Sequence, residues 1–263
     1  MINDIKEIFE KRKLVMTLAK SDFRKKFIGS YFGIIWMFIQ PIVTVLIYYF
    51  VFQVAMKARP ATDSPYVIWL IPGIVPWFYF NEALMAGTNS LYDYQHLVKK
   101  MVFNVSILPS VKILSSMFVH CIFIWIMLIV FLMSGQTPSL WWLQMLYYSG
   151  CTTFLLLGLV YFTASVNVVF KDMGQLVNIF LQFGFWLAPI MWDFSMLPSR
   201  LHKFFKLNPF YYIVQGFRDS FVFKVGFWEK PLLTIYFWIV SITIFCIGTI
   251  MFKRLKPHFA DVL

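Results

Sequence analysis

Charge is scarce in this sequence, and the places that lack it decide the fold class. Asp, Glu, Lys and Arg make up 13% of 263 residues, against roughly 25% in a typical soluble domain. None of the four occurs in 27–56, 113–170, 173–192 or 231–252. Each run reaches the ~20 apolar residues that a helix needs to cross a bilayer core. A water-soluble fold with buried helices is excluded, because it could not cover an uncharged run as long as 113–170.

Other absences narrow the function. The 3 cysteines, Cys121, Cys151 and Cys246, sit inside apolar runs without metal-ligand spacing. They read as small buried hydrophobes and say nothing of redox compartment. There is no G-x-x-x-x-G-K-[ST] phosphate loop, so ATP cannot bind by that route. The chain of intramembrane carboxylates and histidines expected of an ion-coupled transporter is missing. So are a G-x-S-x-G nucleophile and a Cys/His metal cluster. Asp93 and Asp172 are isolated, whereas a metal-dependent lipid-linked sugar transferase needs clustered acids. Neither catalysis nor a cofactor or metal on this chain is expected. No internal repeat is visible, which argues against repeat-built secondary transporters. The first 26 residues are charged throughout, so no cleavable signal peptide is expected and the first span should stay.

What is present is apolar: 60% hydrophobic and 21% aromatic residues, with a mean hydropathy of +0.72. The expected fold is all-α and integral to the membrane, with six transmembrane helices in one domain over 1–263. In residues 1–28, Val15, Leu18, Ala19, Phe23 and Phe27 recur at helical spacing opposite Lys13, Thr17, Lys20 and Arg24. That pattern predicts an amphipathic helix at the membrane interface. Spans one to five fall within 29–193, near 31–55, 66–90, 111–133, 141–165 and 173–193. Pro41 should kink the first. Residues 91–112 read as a polar loop carrying Lys99, Lys100 and Lys112. The turn at 134–139, SGQTPS, divides the long uncharged run. Residues 231–263 hold the sixth span, near 231–252, and a tail.

Six spans put both termini on one side. Residues 1–30, 91–112, 166–172 and 253–263 carry 15 Lys and Arg, and the opposite segments carry 8. The positive-inside rule then places both termini in the cytoplasm.

Segment 194–230 is the most unusual. Met196, Leu197, Leu201, Phe204 and Phe205 alternate with Arg200, Lys203 and Lys206. After Asn208-Pro209, a second apolar stripe runs through Phe210, Ile213, Val214, Phe217 and Phe221. Both pieces are shorter than a span. Two short re-entrant helices on the outer side are expected, and such backbone persists only against protein or a water-filled cavity. With Arg218, Lys224 and Lys230 the segment is net basic. It suits a polyanion passing outward and anionic lipid headgroups equally. Arg218 and Asp219 read as a local pair. Glu82 in the second span should face protein or water. His120 reads as packed against a neighbouring helix or hydrogen-bonded to it. Most aromatics belong to interfacial belts, and some are open to lining a path and stacking on sugar rings.

Four segments resemble one family in register over nearly the whole chain. Residues 29–41, GSYFGIIWMFIQP, are similar to the opening of the first span in polysaccharide and polyol-phosphate exporter permeases of ABC transporters, through Gly29, Ser30, Gly33, Trp36 and Pro41. Lys171-Asp172 matches a short cytoplasmic loop and 187–192, LAPIMW, the end of the fifth span. Asn208, Pro209, Arg218 and Asp219 match its outer segment. The tail KRLKPHFADVL and the stretch from Ala188 to Phe221 look most like teichoic acid translocation permeases, with O-antigen export permeases similar.

The resemblance implies a bacterial cytoplasmic-membrane permease. Two copies would form a pathway above two separate ATP-binding subunits, which hold the ATP and Mg. The substrate would be an undecaprenyl-diphosphate-linked polymer, wall teichoic acid first, O-antigen or capsule as the alternative; a drug or other small molecule fits these motifs less well. Membrane lipids are the remaining partner, and nucleic acid is not one. Spans one and five would line the pathway, through Tyr31, Gly33, Trp36, Phe38, Gln40, Phe180, Phe183 and Trp186. The outer gate would comprise Arg200, Lys203, Lys206, Asn208, Pro209, Tyr211, Arg218 and Asp219. Contacts to the ATPase would come from Phe23, Arg24, Asp93, His96, Lys99, Lys100, Lys171 and Asp172.

Overall fold

The computed structural model describes residues 11–26, 28, 31–57, 65–99 and 104–263, without the side chains of 260 and 261. Phe27, Gly29, Ser30 and Lys100 lie outside the described residues. Every regular element among the described residues is helical.

Helix α1, Arg12–Lys25, carries the amphipathic stripe expected of it. The stripe meets protein: Val15 and Ala19 are buried against Ile107 and Val111, with Leu18 alongside. The first span follows over Gly33–Ala55. Gly33 opens it with a φ of 49°, in the left-handed region that favours glycine. The α-helical part, α2, is Trp36–Tyr48 and continues through Pro41. Its last seven residues, Tyr49–Ala55, wind as a π-helix.

Helix α3, Tyr66–Thr88, is the centre of the molecule. Ile74, Tyr79, Phe80, Ala83 and Leu84 are buried in the main core. The segment expected to be a polar loop is partly helical, as α4, Ser90–Asp93, and α5, Gln95–Val98. A 3-10 turn at Val105–Ile107, capped by Asn104, leads into α6, Leu108–Met133. The third span therefore begins earlier than the sequence suggested. Pro109 in its first turn costs no hydrogen bond there. Gly135, with φ 80°, ends it as Gln136 N–H bonds back to the Phe131 carbonyl at 3.1 Å.

Helix α7, Gln144–Val169, packs along the final long helix, α11, Pro231–Leu255. The contact is backbone on backbone. A Cβ on Gly158 would meet Phe245 N at 2.7 Å, and one on Gly248 would meet the Gly158 carbonyl at 2.1 Å. Small residues permit such approach in membranes. A last short helix, α12, Phe259–Val262, closes the chain.

The fifth apolar segment differs from expectation. Its helix, α8, is Met173–Leu187, 15 residues, or roughly 22 Å at 1.5 Å per residue. Among the described residues, five helices are long and apolar enough to cross a membrane, and α8 is the shorter sixth. Pro189 explains the stop: the residue before a proline is driven to extended backbone, and Ala188 has ψ 135°. The chain then forms α9, Ser199–Lys206, and α10, Pro209–Arg218, with the Asn208 carboxamide accepting from Phe210 N–H at 3.0 Å.

Leu91, Tyr94, Val98, Tyr161, Phe252 and Phe259 share one cluster. Tyr94 also reaches α1 through Asp22. The described ends of the chain thus lie at the same end of the bundle. Tyr66, Trp69 and Met191 cluster at the other.

Candidate functional site: a polar-aromatic groove and its two ends

Helices α2, α3, α6 and α8 enclose an open groove of about 790 Å³. Helix α2 contributes Trp36, Gln40, Thr44 and Tyr48. Helix α3 contributes Trp77, Asn81 and Glu82, and α8 contributes Asn178, Gln182, Phe183 and Trp186. Val119 and Phe123 of α6 form part of the wall. Amides and hydroxyls thus alternate with aromatic faces. Aromatic rings can stack on the apolar faces of sugars while amides bond their hydroxyls. At one end of the groove Lys26 Nζ lies 2.5 Å from Glu82 Oε1. Glu82, costly in lipid by itself, therefore has a partner.

Of the expected pathway residues, Trp36, Gln40, Phe183 and Trp186 line this groove. Phe38 packs edge-on against Phe123. Tyr31 is almost fully exposed, Phe180 is exposed, and Gly33 serves the turn described above. Asn81, Glu82, Asn178 and Gln182 also line the groove; sequence reading passed over three of them and gave Glu82 no place in the pathway. Uncharged polar residues inside apolar runs were the available signal.

The far end of the bundle holds the re-entrant pair. Arg218 is only 2% exposed. Its guanidinium donates to the carbonyls of Pro189 at 2.5 Å, Ile190 at 2.5 Å and Trp69 at 3.3 Å. This corrects two expectations: Arg218 is not an outward-facing charge, and its hydrogen bonds go to backbone carbonyls. Asp219 is ion-paired with Lys230 and accepts from Gln215 Nε2 at 3.0 Å. Asn208 and Pro209 start α10, and Tyr211 is buried against Phe194. Arg200, Lys203 and Lys206 are exposed on α9.

At the near end, Lys112 is buried, with its Nζ 2.6 Å from Asp22 Oδ1 and 2.8 Å from Asp93 Oδ2. It sits in the first turns of α6 and not in a polar loop. The Tyr94 hydroxyl donates to Asp22 Oδ1 at 3.0 Å. Burial opposes the Asp22 charge, but the bond and charge of Lys112 outweigh it and hold the carboxyl below its ordinary range.

A profile of the ABC-2 type transporter family matches residues 13–222. The chain belongs to the ABC-2 type transporter family. Two relatives are O-antigen export system permease proteins RfbA of Klebsiella pneumoniae. One is 25% identical over 260 residues and the other 26% over 261, each covering 95% of both chains. The RfbA permease of Myxococcus xanthus is 23% identical over 265 residues, covering 99% of both. This ABC-2 permease is a multi-pass membrane subunit, and ATP hydrolysis resides on a separate partner subunit. Membership also implies pairing with a second copy.

In the ABC-2 permease the expected ATPase-contact residues other than Lys100, which lies outside the described residues, gather at the near end. Phe23 packs edge-on against Phe118. Arg24, His96 and Lys99 are exposed, and Asp93 holds Lys112. Lys171 and Asp172 are exposed in the turn before α8. Asn167 anchors that turn: its amide donates to the Thr88 carbonyl at 3.1 Å and its Oδ1 accepts from Gly174 N–H at 3.2 Å. The sequence reading missed this buried asparagine, which looks like any polar residue at a helix end.

Proposed function

We propose that this permease, with a separate ATP-binding subunit, exports a lipid-linked cell-envelope polysaccharide of the O-antigen type across the bacterial cytoplasmic membrane, with both termini cytoplasmic. The groove carries the reading. It is open, aromatic-walled and lined by amides, which suits a chain of sugars more than an ion or a flat apolar drug. The relatives are O-antigen export permeases over nearly their full length, and they favour this substrate over the teichoic acid suggested by the tail. The first span has no buried residue in its apolar stretch, and Phe180, Phe183 and Trp186 of α8 are exposed. A second copy facing these helices would complete a shared pathway.

Wall teichoic acid remains the second reading because of α9. Arg200, Lys203 and Lys206 are exposed and suit a polyol-phosphate chain.

The test is reconstitution with the partner ATPase in vesicles loaded with undecaprenyl-diphosphate-linked O-polysaccharide. Translocation should require ATP and both subunits. Transport by the permease alone would overturn the proposal. Transport of polyol-phosphate polymer in its place would select the second reading.

A further inference from the structure

The Asp22, Lys112 and Asp93 cluster is built differently from the other charged contacts. Lys112 and Asp22 are both buried, at 8% and 5% exposure. One ammonium holds two carboxylates from two separate elements, α1 and α4. Lys112 Nζ also lies 5.2 Å from the Tyr94 ring centroid, and Tyr94 bonds the same Asp22 oxygen. Lys25 approaches the other partner's neighbour, lying 5.9 Å from that ring. A buried ion pair tolerates little sliding, because moving either partner leaves an uncompensated charge. The apolar seam of Val15 and Ala19 on Ile107 and Val111 resists slippage far less, since dispersion contacts can be remade a turn away.

We propose that Lys112 is the positioning residue that locks α1 and the 90–98 segment to the start of α6, so that all three move as one body when the ATPase closes. This rests on the reading that the permease is driven by a partner ATPase. Lys112 touches neither polymer nor nucleotide; its effect is on the efficiency with which hydrolysis becomes export. Asp93, with 47% of its side chain exposed, is the releasable arm, and Asp22, at 6%, is the fixed one.

The experiment uses the assembled complex in the vesicles described above, measuring polysaccharide translocated per ATP hydrolysed. Lys112→Met should cut that ratio about tenfold while hydrolysis persists, and Asp93→Asn should cut it about threefold, within the range of mutations that weaken coupling. Lys112→Arg should recover most of the Lys112→Met loss. A ratio unchanged from wild type in these variants overturns the inference, whether both activities persist or both fall in proportion. If Lys112→Met fails to accumulate, Asp93→Asn decides alone, since it leaves the Lys112 and Asp22 pair intact. A wild-type complex without ATP-dependent export would instead overturn the proposed function.

Discussion

The guanidinium carbon of Arg218 lies 3.5 Å from the centroid of the Trp69 ring. Its three donated bonds go to carbonyls of α3 and of the break after α8. Backbone that leaves helical geometry at membrane depth must find partners within the protein. Arg218 supplies them, and so fastens α10 to both the centre of the bundle and the end of the short fifth segment.

Arg218→Lys should therefore fail to substitute. An ammonium cannot present the flat, forked set of donors that also stacks on Trp69. Leaving buried carbonyls unpaired costs about 1–3 kcal/mol each. Arg218→Lys and Arg218→Gln should both lower the thermal midpoint in detergent, and Arg218→Gln should reduce export of neutral and polyanionic polymers alike.

Gly73→Ala tests the same joint from the other side. The added Cβ would lie 2.8 Å from Arg218 Nη2. The guanidinium must then shift away from its carbonyls. A loss of about 1–3 kcal/mol is expected from overpacking, read as a lower midpoint in wild type and a smaller change in an Arg218→Gln background.

Arg200→Gln with Lys203→Gln addresses the exposed charges of α9. Exposed substitutions usually change stability by at most about 0.5 kcal/mol, so the midpoint should hold. Export of a polyol-phosphate polymer should fall relative to a neutral polysaccharide if that polymer is the substrate. Equal effects on both would assign the charges to lipid headgroups.

Asp22 gives a pH dependence with a definite sign. Its carboxyl is held below the ordinary value of 3.8. The stabilisation is present above that value and is lost as pH falls through the lower, folded one. Between pH 5 and 8 Asp22 contributes no slope. Below about pH 4 the wild-type midpoint should drop more steeply than that of Asp22→Asn, which lacks the charge throughout.

Gly248→Ala should be among the most damaging single changes. Its Cβ would meet the Gly158 carbonyl oxygen at 2.1 Å, so α7 and α11 must separate along their length. Relief would have to come from backbone, and a loss near the upper end of the ~1–3 kcal/mol for overpacking is expected. Thermal unfolding in detergent reads it directly.

The helices were legible because hydropathy in a bilayer is nearly one-dimensional: uncharged runs must pair their backbone groups internally. The Asn208-Pro209 break and the SGQTPS turn were legible for the same local reasons. Arg218 and Lys112 were not. Arg218 read as the local partner of Asp219 and Lys112 as part of a polar loop, and only packing shows each satisfied by groups far away in sequence, Trp69 for Arg218 and Asp22 for Lys112. The shortness of α8 was half visible, since Pro189 marks its stop while composition continues to look apolar. The groove was seen only on two of its helices. Its α3 wall, with Asn81 and Glu82, becomes visible once α3 is known to face α2 and α8.

The central claim is that the groove between the first and fifth segments carries the polymer. A photo-crosslinking residue at Gln182, compared with one at Trp125 of α6, tests it most directly. Gln182 lines the groove, and Trp125 is exposed on a helix face outside its lining. In the complex stalled during export, the Gln182 probe should capture labelled polysaccharide while the Trp125 probe captures lipid alone. Polymer captured at Trp125 and absent from Gln182 would contradict the account.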